Sequence, residues 1–213
     1  MKSNPIVQPA LLLACAALVA GASGCRVHTE KGANGDQKSV QVETPFGGLH
    51  VNTDQTTAAD LGLPLYPGAQ IAPDNDDDKS ADVHMGFGQW ELRVKVVNYS
   101  VAAAQDKVVA FYQKALRGYG DVISCQDGAP VGSPAKTSEG LACDNKNQPN
   151  VQVGGHGVSA GDLSSNEKGF QLRAGSVRHQ HIVAFDSAAP GQTRFTLMAI
   201  DLPGSAPGSD TSD

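Results

Sequence analysis

One stretch limits the architecture of this chain more than any other. Ser100 to Gly120, SVAAAQDKVVAFYQKALRGYG, is the only long run with a clear helical period. Ala104, Val108, Phe111, Tyr112, Ala115 and Leu116 recur every three or four residues and make one apolar stripe. Gln105, Asp106, Gln113, Lys114 and Arg117 fall mainly opposite it. Ser100 is positioned as the N-cap, its hydroxyl accepting from a first-turn N–H. Ala103 stands where a capping box would have Glu or Gln. Lys114 and Arg117 suit the negative end of the helix dipole. Gly118 can take the left-handed conformation that ends a helix. One amphipathic helix gains stability only by packing its stripe on something else. Nearly everything after it reads as strand, so the expected partner is a sheet.

The strand signals support this. Trp90, Leu92, Val94 and Val96 alternate with Glu91, Arg93 and Lys95, which predicts a strand from Gln89 to Tyr99 with one buried and one solvated face. Further strands are expected at Asp121–Cys125, Phe170–Arg173, Val177–Phe185 and Thr193–Ile200, with Leu202 closing the pattern. Leu141–Asp144 and Val151–Val153 can pair as a hairpin, and Ala129–Glu139 reads as a loop. Tyr66-Pro67-Gly68 has the order of a type II turn. The expected fold is α+β: a single antiparallel β-sheet, one main helix packed on one face, a flexible N-terminal tether and a disordered C-terminal tail.

The ends of the chain have a different character. Residues 1–24 read as a signal peptide, with Lys2 as n-region and Ala10–Ala20 as an apolar segment too short to span a bilayer. Ala22-Ser23-Gly24-Cys25 resembles a bacterial lipobox, with Ala22 in place of the usual Leu, so Cys25 is the expected lipidation site, modified with palmitate-type chains. Residues 25–38 read as lipidated Cys and polar tether. Residues 39–58 hold a β-hairpin signal, Val40 and Val42 then Leu49 and Val51 around Thr44-Pro45-Phe46-Gly47-Gly48. Residues 59–202 make the α+β domain, and residues 203–213 a disordered tail.

Removing residues 1–24 takes one lysine and no acids, which leaves a formal net charge of −7. That balance argues against nucleic acid as a partner, because such binding neutralises phosphates with Lys and Arg. In an exported chain, Cys125 and Cys143 read as a disulfide. Its 18-residue spacing corresponds to roughly 3 kcal/mol in the chain-entropy model. No Cys-x-x-Cys metal spacing is present.

Four patterns bear on chemistry. His179 and His181 share a strand face at a period of two, a spacing that can chelate a divalent metal, with Asp186 or His156 as third ligand; the alternative is half-buried structural histidines. Gly157-Val158-Ser159-Ala160-Gly161 spells a nucleophile elbow, but no helix pattern follows it, so a Gly/Ser loop is the preferred reading over a serine hydrolase. Asp74, Asp76 and Asp78 have the start of a calcium-loop spacing, but Lys79 and Met85 occupy the positions of its Gly and Glu, which leaves a solvated acidic loop. Arg173, Arg178 and Arg194, with Gln171 and Gln180, can line an anion site but read first as a solvated sheet face.

Leu63-Pro64-Leu65-Tyr66-Pro67-Gly68-Ala69, followed by Val108-Val109-Ala110-Phe111-Tyr112 and Leu116, resembles a module of uncharacterised bacterial exported lipoproteins, in which a Tyr-Pro-Gly-Ala turn precedes a strand and a Phe-Tyr helix. Lys168–Pro203 is similar to the C-terminal part of some of them, and the resemblance covers about residues 60–203. It implies an envelope location and an α+β domain, and it brings no catalytic residues. Arg26 after the lipidated Cys resembles outer-membrane sorting. The function expected is a non-enzymatic binding or structural module without cofactor, held to the membrane by lipid and facing the periplasm, with an envelope protein as its kind of partner. A metal-binding protein or a carrier of an apolar ligand is the alternative.

Overall fold

The helix and its sheet are both present. The computed structural model describes residues 25–31, 37–45, 47–53, 55–72, 80–87, 90–143, 150–153, 156–159, 169–186 and 190–202. The N-terminal strands are β1 (Arg26–Lys31), β2 (Gln37–Thr44) and β3 (Gly47–Thr53). Then come β4 (Gln70–Ile71), β5 (Ser80–Phe87), β6 (Trp90–Val101), helix α1 (Gln105–Leu116), β7 (Val122–Gln126) and β8 (Ala129–Pro130). The remaining strands are β9 (Asn150–Val153), β10 (His156–Ser159), β11 (Phe170–Gly175), β12 (His179–Asp186) and β13 (Thr193–Asp201).

Eleven of these strands form one antiparallel sheet in the order β1-β2-β3-β5-β6-β13-β12-β11-β7-β8, with β4 also pairing β6. The α+β class and the single helix stand as the sequence predicts. Strands β9 and β10 form a separate two-stranded ladder. The signal-peptide residues 1–24, the acidic residues at 74, 76 and 78 and the tail 203–213 lie outside the described residues.

The structure decides one open point and corrects several expectations. The tether is shorter than expected, because Arg26–Lys31 is a strand that pairs with β2. The sequence leaves open whether the hairpin at 39–58 joins the main sheet; it does, with β3 paired to β5. The helix begins at Gln105, not near Ser100, because β6 runs on to Val101 and Ser100 pairs with Gln70 and Arg194. Its end is a 3-10 turn, Arg117–Tyr119, and Gly120 rather than Gly118 takes the positive φ. Finally, Val151–Val153 pairs with β10, not with Leu141–Asp144. Two residues separate β9 from β10, and closing so short a loop costs less entropy than closing across Asn145–Asn150.

The core has two layers because both sheet faces are covered in places. On the helix side, Val108, Tyr112 and Leu116 of α1 pack with Val97 and Tyr99, Leu172, Val183 and Phe185, and Phe195 and Leu197. Phe195 is central, with its ring 5.3 Å from Tyr112 and 5.7 Å from Tyr99. On the opposite face, Leu92, Val94, Ile182, Ala184, Met198 and Ile200 form a second cluster. Strand β6 therefore changes its buried side along its length. Leu92 and Val94 are buried as the alternation predicts, but Val97, Tyr99 and Val101 of the other face are buried too. They lie on the helix-bearing face, which Glu91, Arg93 and Lys95 share beyond the helix.

The opposite face also corrects the reading of the arginine stripe. Gln171, Arg173 and Gln180 are buried, not solvated, and Arg173 donates from Nε and Nη2 to Gln171 Oε1 at 3.1 and 2.8 Å. Strands β11 and β12, which carry them, are interior to the sheet, and beside β11 the Cys125–Cys143 disulfide ties β7 to the Leu141 segment, with Ile123 and Leu141 packed on it.

Candidate functional site

The region best equipped for recognition is the end of the helix-bearing face that α1 leaves open. Residues directly opposite in antiparallel strands point to the same side of the sheet. Following the register across seven strands gives one continuous row: His28, Gln41, His50, His84, Arg93, Asp201 and His179. At about 4.8 Å between strands, the row is roughly 29 Å long. His181 lies on the same face, opposite Ala199. Five of the six histidines in the chain are therefore on one side of one sheet.

The row begins in a groove of about 390 Å³ lined by Arg26, His28, Glu30, Ser39, Gln41 and Glu43. Gln41 Nε2 donates to Glu43 Oε1 at 2.6 Å. Further along, the His50 and His84 rings are 6.2 Å apart. His84 Nε2 is 2.9 Å from Glu91 Oε1. Arg93 donates to both carboxylate oxygens of Asp82, at 3.4 and 3.1 Å. His179 Nδ1 is 2.9 Å from Asp201 Oδ1. Gln41, His84, Arg93, Asp201 and His179 thus each have a charged or hydrogen-bonding neighbour within reach.

A strap, residues 55–69, crosses the face between the row and the helix. It opens with a 3-10 turn, Ala58–Leu61, and Ala58, Leu61 and Leu63 are buried. Thr57 donates from its N–H and its hydroxyl to Asp60 Oδ2, at 2.8 and 2.6 Å. These bonds hold the Asp60 carboxyl below its ordinary range. Lys95 Nζ donates to the Asp60 carbonyl at 2.8 Å. The Tyr66-Pro67-Gly68 turn forms as predicted: Gly68 has φ 80° and Ala69 N–H donates to Tyr66 O at 3.0 Å. The Tyr66 ring meets Phe111 edge-on at 5.1 Å, so this stretch joins strap to helix.

His181 sits where strap, helix end and sheet meet. Its ring stacks on Tyr119 with centroids 3.6 Å apart, and Nε2 donates to Leu61 O at 3.1 Å. Burial lowers its pKa below the ordinary imidazole value. Tyr119 OH donates to Gly62 O at 2.6 Å. Gly62 has φ 70°, and a side chain there would collide with the Tyr119 hydroxyl.

The His179–His181 pair does share a face, as its spacing predicts. The structure then gives each imidazole a different partner, Asp201 for His179 and Leu61 with Tyr119 for His181. Among the described residues, no group of three or more His, Cys, Asp or Glu side chains is placed to hold a metal ion. Ser159 ends β10, and Ala160 and Gly161 of its motif lie outside the described residues. Cys25 is exposed and immediately precedes β1. No described helix is long and apolar enough to cross a membrane. Sequence reasoning missed His28, His50 and His84 as one group, because their alignment depends on which strands are neighbours. Comparison with protein-family models, curated proteins and solved structures finds no match for this chain.

Proposed function

We propose that this protein is a lipid-anchored module of the cell envelope that binds an extended polar ligand or partner along the row from His28 to His179. The row carries the reading: seven polar or titratable side chains in register on one open face, starting in a polar groove. Five of the seven have a hydrogen-bonding or charged neighbour within reach, which supports recognition by positioned donors and acceptors. Cys25 is the anchor, through palmitate-type chains, and the outer membrane facing the periplasm is the location. The signal-peptide and lipobox patterns support this, as does a disulfide, which belongs to oxidising compartments.

Two experiments test the reading. Labelled palmitate fed to expressing cells should enter the wild-type chain and not Cys25→Ser; equal labelling overturns the anchor. Photo-crosslinking residues placed at His50 and His84 in intact cells should give a discrete adduct that the same residue at Ile71, on another strand, does not. Indistinguishable patterns overturn the binding face. Turnover of an ester or phosphoester panel that disappears in Ser159→Ala would replace binding with hydrolysis.

A further inference from the structure

Strand β1 ends the sheet. It pairs with β2 on one side, and no described strand pairs with its other edge. Residues 26–30 are all exposed, Val27 at 65%. An open edge offers a row of backbone donors and acceptors to any extended chain that fits. Bulges commonly blunt such edges, but in β1 the register shift falls between Glu30 and Lys31. Arg26–Glu30 is left as a regular five-residue run.

The order of that run is self-complementary. It has a cation at one end, an anion at the other and His28 in the middle. A second copy laid antiparallel about His28 puts Arg26 opposite the partner's Glu30, twice by symmetry. Val27 then faces the partner's Thr29, and His28 faces the partner's His28. Parallel pairing would instead oppose like charges at both ends. A two-residue slip one way keeps only three pairs, and a slip the other way runs into the bulge. Two-fold symmetry of this kind is the usual form of a homodimer.

We infer that β1 is a self-pairing edge: a second copy of this chain docks antiparallel on Arg26–Glu30, about a two-fold axis at His28. Opposite residues share a face. The two grooves lined by His28 therefore join, and the polar row of one copy runs on into the other. This inference does not depend on what the row binds. A five-residue strand pair is a small interface, so the dimer is weak, in the micromolar range or above. Two copies on one membrane would meet at a far higher effective concentration.

The test uses the full chain, expressed in bacteria, extracted in detergent and followed by sedimentation from about 1 to about 100 µM. Wild type should dimerise with rising concentration. Arg26→Glu and Glu30→Arg each place two like-charge pairs in the dimer, so each should weaken it by about tenfold or more. Mixing these two variants makes both pairs attractive again and should restore a heterodimer. Intact mass and circular dichroism confirm equal processing and folding. A wild type that stays monomeric overturns the inference. So do single variants that dimerise like wild type, or a mixture no tighter than either variant alone.

Discussion

Strands β11–β13 and strands β1–β3 belong to one hydrogen-bonded sheet, yet different forces hold them there. In β12 the buried positions include Ile182, Val183, Ala184 and Phe185 in succession, so both faces are covered. Among the described side chains of β1–β3 none is buried. The inner strands are fixed by apolar area removed from water, at about 25 cal/mol per Å². The outer ones rest on ladder hydrogen bonds and cross-strand pairs, each contributing less than about 1 kcal/mol. A single sheet thus combines a rigid platform with a less stable arm, and the polar row crosses from one to the other. Regions with few buried apolar contacts belong to the low-stability end of a fold.

Core truncation should separate the two regions most clearly. Phe195→Ala removes a ring packed against Tyr99, Tyr112 and Phe185, and should cost about 3–5 kcal/mol in urea unfolding. Val51→Ala in β3 should cost less than about 1 kcal/mol. Equal losses would mean that the arm is packed as tightly as the platform. Native-state hydrogen exchange should agree, with faster exchange at His50 and Val51 than at Leu197.

The disulfide lies on the platform side, packed with Ile123 and Leu141. Replacing Cys125 and Cys143 together with Ser should lower global stability by about 2–4 kcal/mol. Exchange in β1–β3 should change little relative to its own baseline.

The strap is intermediate. Gly62→Ala puts a side chain on a left-handed residue and against the Tyr119 hydroxyl. It should cost about 1–3 kcal/mol, measured by thermal unfolding. A neutral result would show that the strap can lift without loss.

The smallest effect concerns His181. Its folded pKa lies below the unfolded value because burial disfavours the charged ring. Above the unfolded pKa of about 6.5 this contribution to stability is fully present. As pH falls through that value toward the folded pKa, the unfolded chain binds a proton that the folded one does not, and stability drops. His181→Gln should reduce the slope of Tm between about pH 5 and 7. An unchanged slope would show that His181 does not set it.

Much of this architecture was legible in the chain. The spacing of Val108, Tyr112 and Leu116 predicts a helix stripe, and those residues are buried. Tyr66-Pro67-Gly68 predicts its turn, because few residues besides Gly tolerate φ 80°. Cys125 and Cys143 predict their bridge. Alternation in β6 correctly assigns Leu92 and Val94, then fails at Val97, because parity marks which residues share a face but not where a helix covers that face. The same limit hid the polar row. His28 and His179 are separated by most of the chain, and only the strand order brings them into one line. The buried Arg173 was unreadable for a related reason: its polarity predicts water, whereas its place on a central strand takes water away.

The sequence by itself determined the local periods and the turns, which depend on steric rules acting over a few residues, and the pairing of the two cysteines, which follows from an oxidising compartment. Tertiary structure alone decided the neighbours: that β6 lies beside β13, that the strap crosses their face, and that five histidines line one side. Hydrogen-bond ladders accept almost any side chain, so strand order is chosen by burial summed over the whole sheet, a quantity no short stretch of sequence contains.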